Sequence, residues 1–308
     1  MELPSIASTL IATPVKCNTS GTLFFRLYKR GDIFGAPILS VDSDGKVGQV
    51  VLEPRSLKSD AIEHPELLKT LDYEPALGSL YAVALSEDGM GYVLRLSIED
   101  GSLKAVMALP NGFTPRRISV FQSGALIVSG MRVDRSSPEH STRKLATIHY
   151  DAQGRLIGDI ALPGDVEPQS PEGQASQSDT EISTRTYLVG GEASIYMLRP
   201  AAKPILYSID EGGEVSRAEL WGPGAQYTPS NFQVSGSQGI VEFYGETRTD
   251  NVQDHIFVEY DLSTREPLTV STIGADVPGA FACYDGKGTY TFLTSNQKHL
   301  ALLKARVQ

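Results

Sequence analysis

The chain has 308 residues, 41% hydrophobic and 21% charged, with 29 Gly, 18 Pro, 2 Cys and 1 Trp. Its 27 basic and 37 acidic residues give a net charge of -10, which repels a phosphate backbone and argues against nucleic acid as a partner. No apolar run approaches the roughly 20 residues of a membrane-spanning helix, and the length accommodates one large domain or two ordinary ones.

The chain starts Met1-Glu2-Leu3-Pro4, without the basic and apolar regions of a secretory leader. Its Thr, Ser, Gly and Asn content nevertheless resembles that of exported bacterial proteins. A periplasmic or extracellular location with the leader outside this sequence is therefore expected, with the cytoplasm as the alternative. A short β-prone stretch follows at Ile6–Ala12. The first hairpin runs from Ile38 through Asp42-Ser-Asp-Gly45 to Val47, and Asp60–Lys69 is the one candidate helix. Further hairpins turn at Glu99-Asp-Gly101, Asp151-Ala-Gln-Gly154, Asp210-Glu-Gly-Gly213 and Asp261-Leu-Ser-Thr264. Taking Gly45, Gly101, Gly154, Gly213 and Thr264 as marks, the steps are 56, 53, 59 and 51 residues. One supersecondary unit of about 55 residues therefore repeats.

A second strand pair lies in each period. Examples are Arg117–Phe121 with Ala125–Ser129, Arg185–Val189 with Ser194–Leu198, and Asn231–Val234 with Gly239–Tyr244. Short segments rich in Val, Ile, Tyr, Phe and Thr suit strands, so each unit holds four. After the fifth hairpin, Phe281–Tyr284, Thr289–Leu293 and Leu300–Lys304 supply three more strands. Ile6–Ala12 is expected to supply the fourth and close the ring, which removes sheet edges that invite aggregation.

On this pattern the chain resembles the six-bladed β-propellers of the TolB-like and NHL-like groups over essentially its whole length. The resemblance is architectural. The Trp-Asp dipeptide is absent and Trp221 is followed by Gly. It implies an all-β six-bladed propeller of four-stranded antiparallel blades, a single domain over 1–308 with a flexible insert at about 165–182. The insert is expected from the Ser, Gln and Pro of Glu167–Glu181.

Within such blades the first-to-second and third-to-fourth strand turns share one face, and here they are tight. The long connections, 54–66, 131–143, 163–183, 222–230 and 245–254, share the other. Long connections concentrate where a protein meets partners, so that face is the expected site. Around it stand His64, His140, His255, His299, Arg132, Arg135, Arg143, Arg248, Asp134, Asp250, Asp254 and Asp276. Arg116 and Arg117 follow Pro110–Pro115 at the entrance to an inner strand, where a guanidinium facing the axis would hold a carboxylate through two hydrogen bonds. Tyr227, Thr228, Ser230 and Asn231 occupy the equivalent entrance of another blade. Phe113 and Trp221 could add aromatic walls, although core packing is the expected role of Trp221.

Catalytic and cofactor motifs are missing. Six-bladed lactonases imply a Glu, Asn and Asp set holding a divalent cation, for which Asn231, Asp276 and Asn111 with Glu63 or Glu66 are the candidates. Their spacing matches no known motif. Asp42-Ser-Asp44-Gly45 lacks the downstream Glu of a calcium loop and reads as turn chemistry. Gly236-Ser237-Gln238-Gly239 is not a nucleophile elbow, and neither phosphate-binding loops nor zinc or haem motifs occur. Cys17 and Cys283 fall near inner-strand ends of the first and last blades. A bridge between them would staple the closure, but the spacing needed between their backbones leaves two buried thiols as the favoured reading.

The expectation is thus a binding or assembly module, with no catalytic residue and no cofactor. It presents its long-loop face to a protein, peptide or glycan. A metal-dependent lactonase or hydrolase with its site in the axial funnel is the alternative.

Overall fold

The computed structural model describes residues 2–7, 11–17, 21–28, 38–50, 70–76, 78–86, 88–134, 142–163, 186–201, 203–245, 255–274, 279–295 and 299–306. Among them every regular element is a strand. The first, β1 (Glu2–Ala7), joins the last sheet. Blade 1 is β2 (Ile11–Cys17), β3 (Leu23–Tyr28), β4 (Ile38–Val41) and β5 (Val47–Val50). Blade 2 is β6 (Thr70–Ala76), β7 (Ser79–Leu85), β8 (Gly91–Ser97) and β9 (Leu103–Ala108). Blade 3 is β10 (Phe113–Val120), β11 (Leu126–Asp134), β12 (Thr142–Tyr150) and β13 (Leu156–Asp159). Blade 4 is β14 (Tyr187–Gly190), β15 (Ser194–Arg199), β16 (Ile205–Asp210) and β17 (Val215–Glu219). Blade 5 is β18 (Tyr227–Ser235), β19 (Gln238–Gly245), β20 (His255–Asp261) and β21 (Pro267–Ile273). Blade 6 is β22 (Ala280–Tyr284), β23 (Thr289–Ser295), β24 (His299–Arg306) and, at its edge, β1. This is the six-bladed β-propeller fold.

The recurring Asp is explained by its turn. Asp42 Oδ1 accepts the backbone N–H groups of Asp44 and Lys46 at 3.0 and 2.8 Å, and Asp151 Oδ1 those of Gln153 and Arg155 at the same distances. The carboxylate thereby takes up donors that the reversal would leave unpaired. Gly45, Gly101, Gly154 and Gly213 all have φ between 72° and 86°, a region costly for side chains. In blade 5 Arg265 takes that conformation instead, at φ 67°. The pattern is readable because the backbone needs it.

One compact unit comprises Met1–Glu53, Ala201–Pro204 and Glu219–Gln308, and so holds blades 5, 6 and 1. Its cores are stacked between sheets. Leu23, Phe25, Leu39 and Val41 meet Ala282, Cys283, Leu293 and Leu302, while Phe257, Phe281, Tyr290 and Phe292 form an aromatic cluster between blades 5 and 6. The other unit comprises Pro54–Pro200 and Ile205–Ala218 and holds blades 2, 3 and 4. There Tyr81, Val83 and Val93 pack on Ile118, Leu126 and Val128, and Ile127 packs with Leu188, Ile195 and Tyr207. Middle strands are buried on both faces, which is why β7 reads as nearly continuous apolar sequence. Outer strands such as β13 and β21 are largely exposed.

The closing strand differs from the expected Ile6–Ala12. Glu2 pairs with Ala301, Leu3 with Leu300 and Ala7 with His299, so β1 ends where the expected strand starts, and Ile11 and Ala12 open β2. Both stretches are β-prone, and pairing with β24 selects the earlier one. The favoured thiol reading is also corrected. Cys17 and Cys283 are joined in a disulfide with Cα atoms 5.5 Å apart, because β2 and β22 are the adjacent inner strands of blades 1 and 6. The candidate helix 60–69 and the insert 165–182 lie outside the described residues.

Candidate functional site at the end of blade 5

Three candidates from the sequence, Tyr227, Asn231 and His255, fall on blade 5. β18 carries a bulge: Pro229 faces Phe243 and Asn231 faces Glu242, leaving Ser230 as the extra residue. The skip puts Thr228, Asn231 and Gln233 on the same sheet face as Glu242, Tyr244, His255 and Glu259, the face packed against blade 6.

Most of this polar seam is committed to locking blade 5 to blade 6. Asn231 Nδ2 donates to the carbonyl of Phe281 at 3.0 Å. Gln233 spans a longer reach, donating to Ala282 O at 2.8 Å and accepting from Tyr284 N at 3.2 Å. Its carboxamide thus pairs with β22 as a peptide unit would, at the point where β22 has its own bulge at Ala282. Tyr290 donates its hydroxyl to buried Glu259 at 2.8 Å. Burial, reinforced by Glu259, pushes the Tyr284 phenol up to about 12 and raises Tyr290 in the same direction, so both stay protonated.

His255 is different. It is the first residue of β20, where the connection 246–254 enters the blade. Its Nδ1 lies 2.7 Å from Glu242 Oε1, and both side chains are buried. Tyr244 meets the ring edge-on with centroids 4.9 Å apart, and Phe257 stacks at 6.5 Å. Burial, then the Glu242 charge, raises the Tyr244 phenol. A carboxylate on one ring nitrogen fixes the orientation of the imidazole and turns the other nitrogen away from the pair. Tyr227 stands on the opposite sheet face at the same end. Its ring covers Gly245, where an added Cβ would come within 2.7 Å of the ring.

In the unit of blades 2 to 4, Phe113 is 1% exposed and belongs to the core with Tyr81 and Ile118, which removes its ring from any ligand-facing role. Arg116 occupies the bulge between Pro115 and Arg117, and Arg117 Nη1 donates to Arg116 O at 3.1 Å. Trp221, expected in the core, is 48% exposed; its carbonyl accepts the Tyr260 hydroxyl while the indole remains outside. Arg248, Asp254 and Asp276 lie outside the described residues, as do His64, His140, Asp250, Glu63 and Glu66. Of the lactonase set, Asn231 is bonded to blade 6 and Asn111 is exposed at a turn. Among the described residues no three His, Cys, Asp or Glu side chains converge as a metal site.

Sequence reasoning passed over Glu242, Gln233 and Glu259, although a carboxylate inside the apolar runs 240–244 and 256–260 is a visible signal. It also missed a repeat. Thr13-Pro14, Thr114-Pro115 and Thr228-Pro229 each stand at the inner-strand bulge of blades 1, 3 and 5. Proline tolerates such a position because the bulge interrupts the ladder.

No protein-family model matches the chain, and no curated protein sequence does. Solved structures share its fold. The acylaminoacyl peptidase of Pyrococcus horikoshii aligns with a TM-score of 0.54 at 10% identity, over 98% of this chain and 53% of that one. The β-propeller domain of the Trilobed protease from Pyrococcus furiosus gives 0.51 at 10% identity, over 95% and 81%. Oligogalacturonate lyase from Vibrio parahaemolyticus gives 0.50 at 11% identity, over 97% and 91%. The likeness is one of fold alone.

Proposed function

We propose that this chain is an exported, non-enzymatic propeller that binds a protein, peptide or glycan at the blade ends from which the long connections leave, with Tyr227 and Tyr244 of blade 5 as part of the contact surface and the buried His255 directly behind Tyr244. The observation that carries the reading is the end of blade 5 itself. Aromatic rings flank both sheet faces there, beside an imidazole oriented by Glu242, whereas the opposite blade ends are closed by turns whose donors are taken up by their own Asp residues. Rigid aromatic rings with a few placed polar groups suit sugars and peptides. The disulfide supports export, since such bridges are rare in the cytosol. Among the described residues no helix is long and apolar enough to cross a membrane.

The hydrolase alternative has one point in its favour: a carboxylate-oriented His is how a general base is held. Probing peptide and oligosaccharide arrays with the labelled protein, then titrating hits against Tyr227→Ala and His255→Ala, separates the readings. The binding account expects at least about a tenfold weakening, near 1.4 kcal/mol, without change in the ligand. Binding unaffected by both variants would move the site elsewhere, and bond cleavage that depends on His255 would replace the account by the enzymatic one.

A further inference from the structure

His149 lies in β12, in register with Ile127 on one side and Gly158 on the other. Its chain neighbours Ile148 and Tyr150 fill the core toward blade 2, so the imidazole points to the opposite sheet face, where Phe121 lies 6.4 Å away and Ile127 packs toward blade 4. The residue is 3% exposed; Nε2 is shut off from solvent with no hydrogen-bond partner, and Nδ1 is the ring nitrogen that lies beside Gly213. The ring forms part of the wall of a cavity of about 370 Å³ between the outer strand of blade 3 and the β16–β17 turn of blade 4, together with Ile157, Asp159, Gly213 and Val215. Two glycines keep it open. A Cβ on Gly158 would meet nothing within 4 Å, and one on Gly213 would come within 3.5 Å of His149 Nδ1.

Among the described residues the one charged group in this wall is the Asp159 carboxylate. Asp159 at the wall is bound by Arg132, and Asp151 by Arg155 at 2.7 Å. Asp210 and Glu211 also act on the ring; the Asp210 carboxylate accepts the backbone N–H of Glu214 at 2.8 Å. Burial holds the imidazole below its ordinary range against the pull of Glu211, Asp151 and Asp210, which leaves it neutral and able to accept a hydrogen bond.

We propose that this cavity binds a primary ammonium group, which donates to Nδ1 of the neutral His149 imidazole and is attracted by Asp210 and Glu211. An anionic ligand would be repelled by those carboxylates, which adjoin the wall residues Gly212 and Gly213 in the chain, and an uncharged one would gain nothing from them. The volume fits a side chain or a small molecule, so the ammonium comes from a lysine of a peptide partner or from a free amine. The site is independent of the end of blade 5.

The test follows the histidine ring resonances by ¹H–¹³C NMR at neutral pH and low salt, with His149 assigned through His149→Gln. Titration with n-butylammonium is expected to shift that one resonance saturably, and n-butanol is expected not to. Glu211→Gln should weaken binding about two- to fivefold, as should raising the salt. Lowering the pH until the ring protonates should expel the ligand. Nα-acetyl-lysine N-methylamide binding more tightly than n-butylammonium assigns the peptide source, and the reverse order a free amine. No shift with n-butylammonium, or an equal shift with n-butanol, overturns the proposal. If His149→Gln does not fold, the Glu211→Gln, salt and pH responses still decide it.

Discussion

Replacing Cys17 and Cys283 together by Ala opens a covalent loop spanning 266 residues. In the chain-entropy relation a cross-link of that span removes about 19 cal/mol/K from the unfolded chain, or about 5.6 kcal/mol at 25 °C. Cys283 sits in the core shared by blades 1 and 6, so losing its sulfur adds about 1 kcal/mol for the space left behind. Measured disulfides often deliver less than the relation predicts, and the β1–β24 ladder still joins the chain ends in the variant. A loss of about 3 to 6 kcal/mol is therefore expected. Guanidinium unfolding followed by Trp221 fluorescence and circular dichroism reads it, Trp221 being the only tryptophan in the chain. The midpoint should fall in the variant and, equally, in the native protein under reductant. The slope with denaturant should rise, because an uncrosslinked unfolded chain exposes more surface. A midpoint that moves by less than about 1 kcal/mol equivalent in both cases would refute the reasoning and leave closure to the strand ladder alone.

Gln233→Ala removes two hydrogen bonds and leaves the Ala282 carbonyl and the Tyr284 N–H each without the carboxamide partner that Gln233 supplied, in a buried strand. The expected cost is about 3 kcal/mol in urea unfolding, against less than about 1 kcal/mol for a surface residue such as Gln153. Gly130→Ala would place a Cβ 2.2 Å from the carbonyl of Thr114, so β10 and β11 must separate near the bulge. A loss of about 2 to 4 kcal/mol, seen as a lower thermal midpoint, is expected. The turn carboxylates set an acid limit. The backbone N–H of Ser102, then the Ser97 and Ser102 side chains, hold Asp100 at about 2, while hydrogen bonds in their own turns lower Asp151 and Asp261. Folded values below the unfolded one mean stabilisation that is complete above about pH 4 and disappears as pH falls toward 2. A thermal midpoint unchanged between about pH 5 and 2 would contradict this.

The repeat was legible because its marks are backbone requirements. Asp at the end of a third strand and a residue of positive φ shortly after are needed wherever that hairpin turns, whatever the blade packs against. Blade number followed from the spacing, and closure from the missing strand. Its register was not legible: by composition Ile6–Ala12 is the more β-prone stretch, since Glu2–Ala7 carries Glu and Pro, and pairing with β24 nevertheless selects the earlier one. The site was less readable for a related reason. Asn231 at a blade entrance looks like a ligand-binding group, yet its amide is taken by a carbonyl 50 residues away. Trp221 carries the largest apolar side chain and still lies outside, held through its backbone. His149 escaped notice because it sits inside one copy of the hairpin, where the polar residue of an alternating strand ordinarily faces solvent. That face of β12 is covered by blade 4.

The most direct test of the central claim is hydrogen–deuterium exchange of the protein with and without the tightest ligand from the peptide and glycan arrays. Protection is expected in 227–231, 242–245 and 255–257, the strand ends that carry Tyr227, Tyr244 and His255, with the Asp turns at 42–46, 151–155 and 261–266 unchanged. Protection confined to those turns, with the end of blade 5 unaffected, would contradict the account.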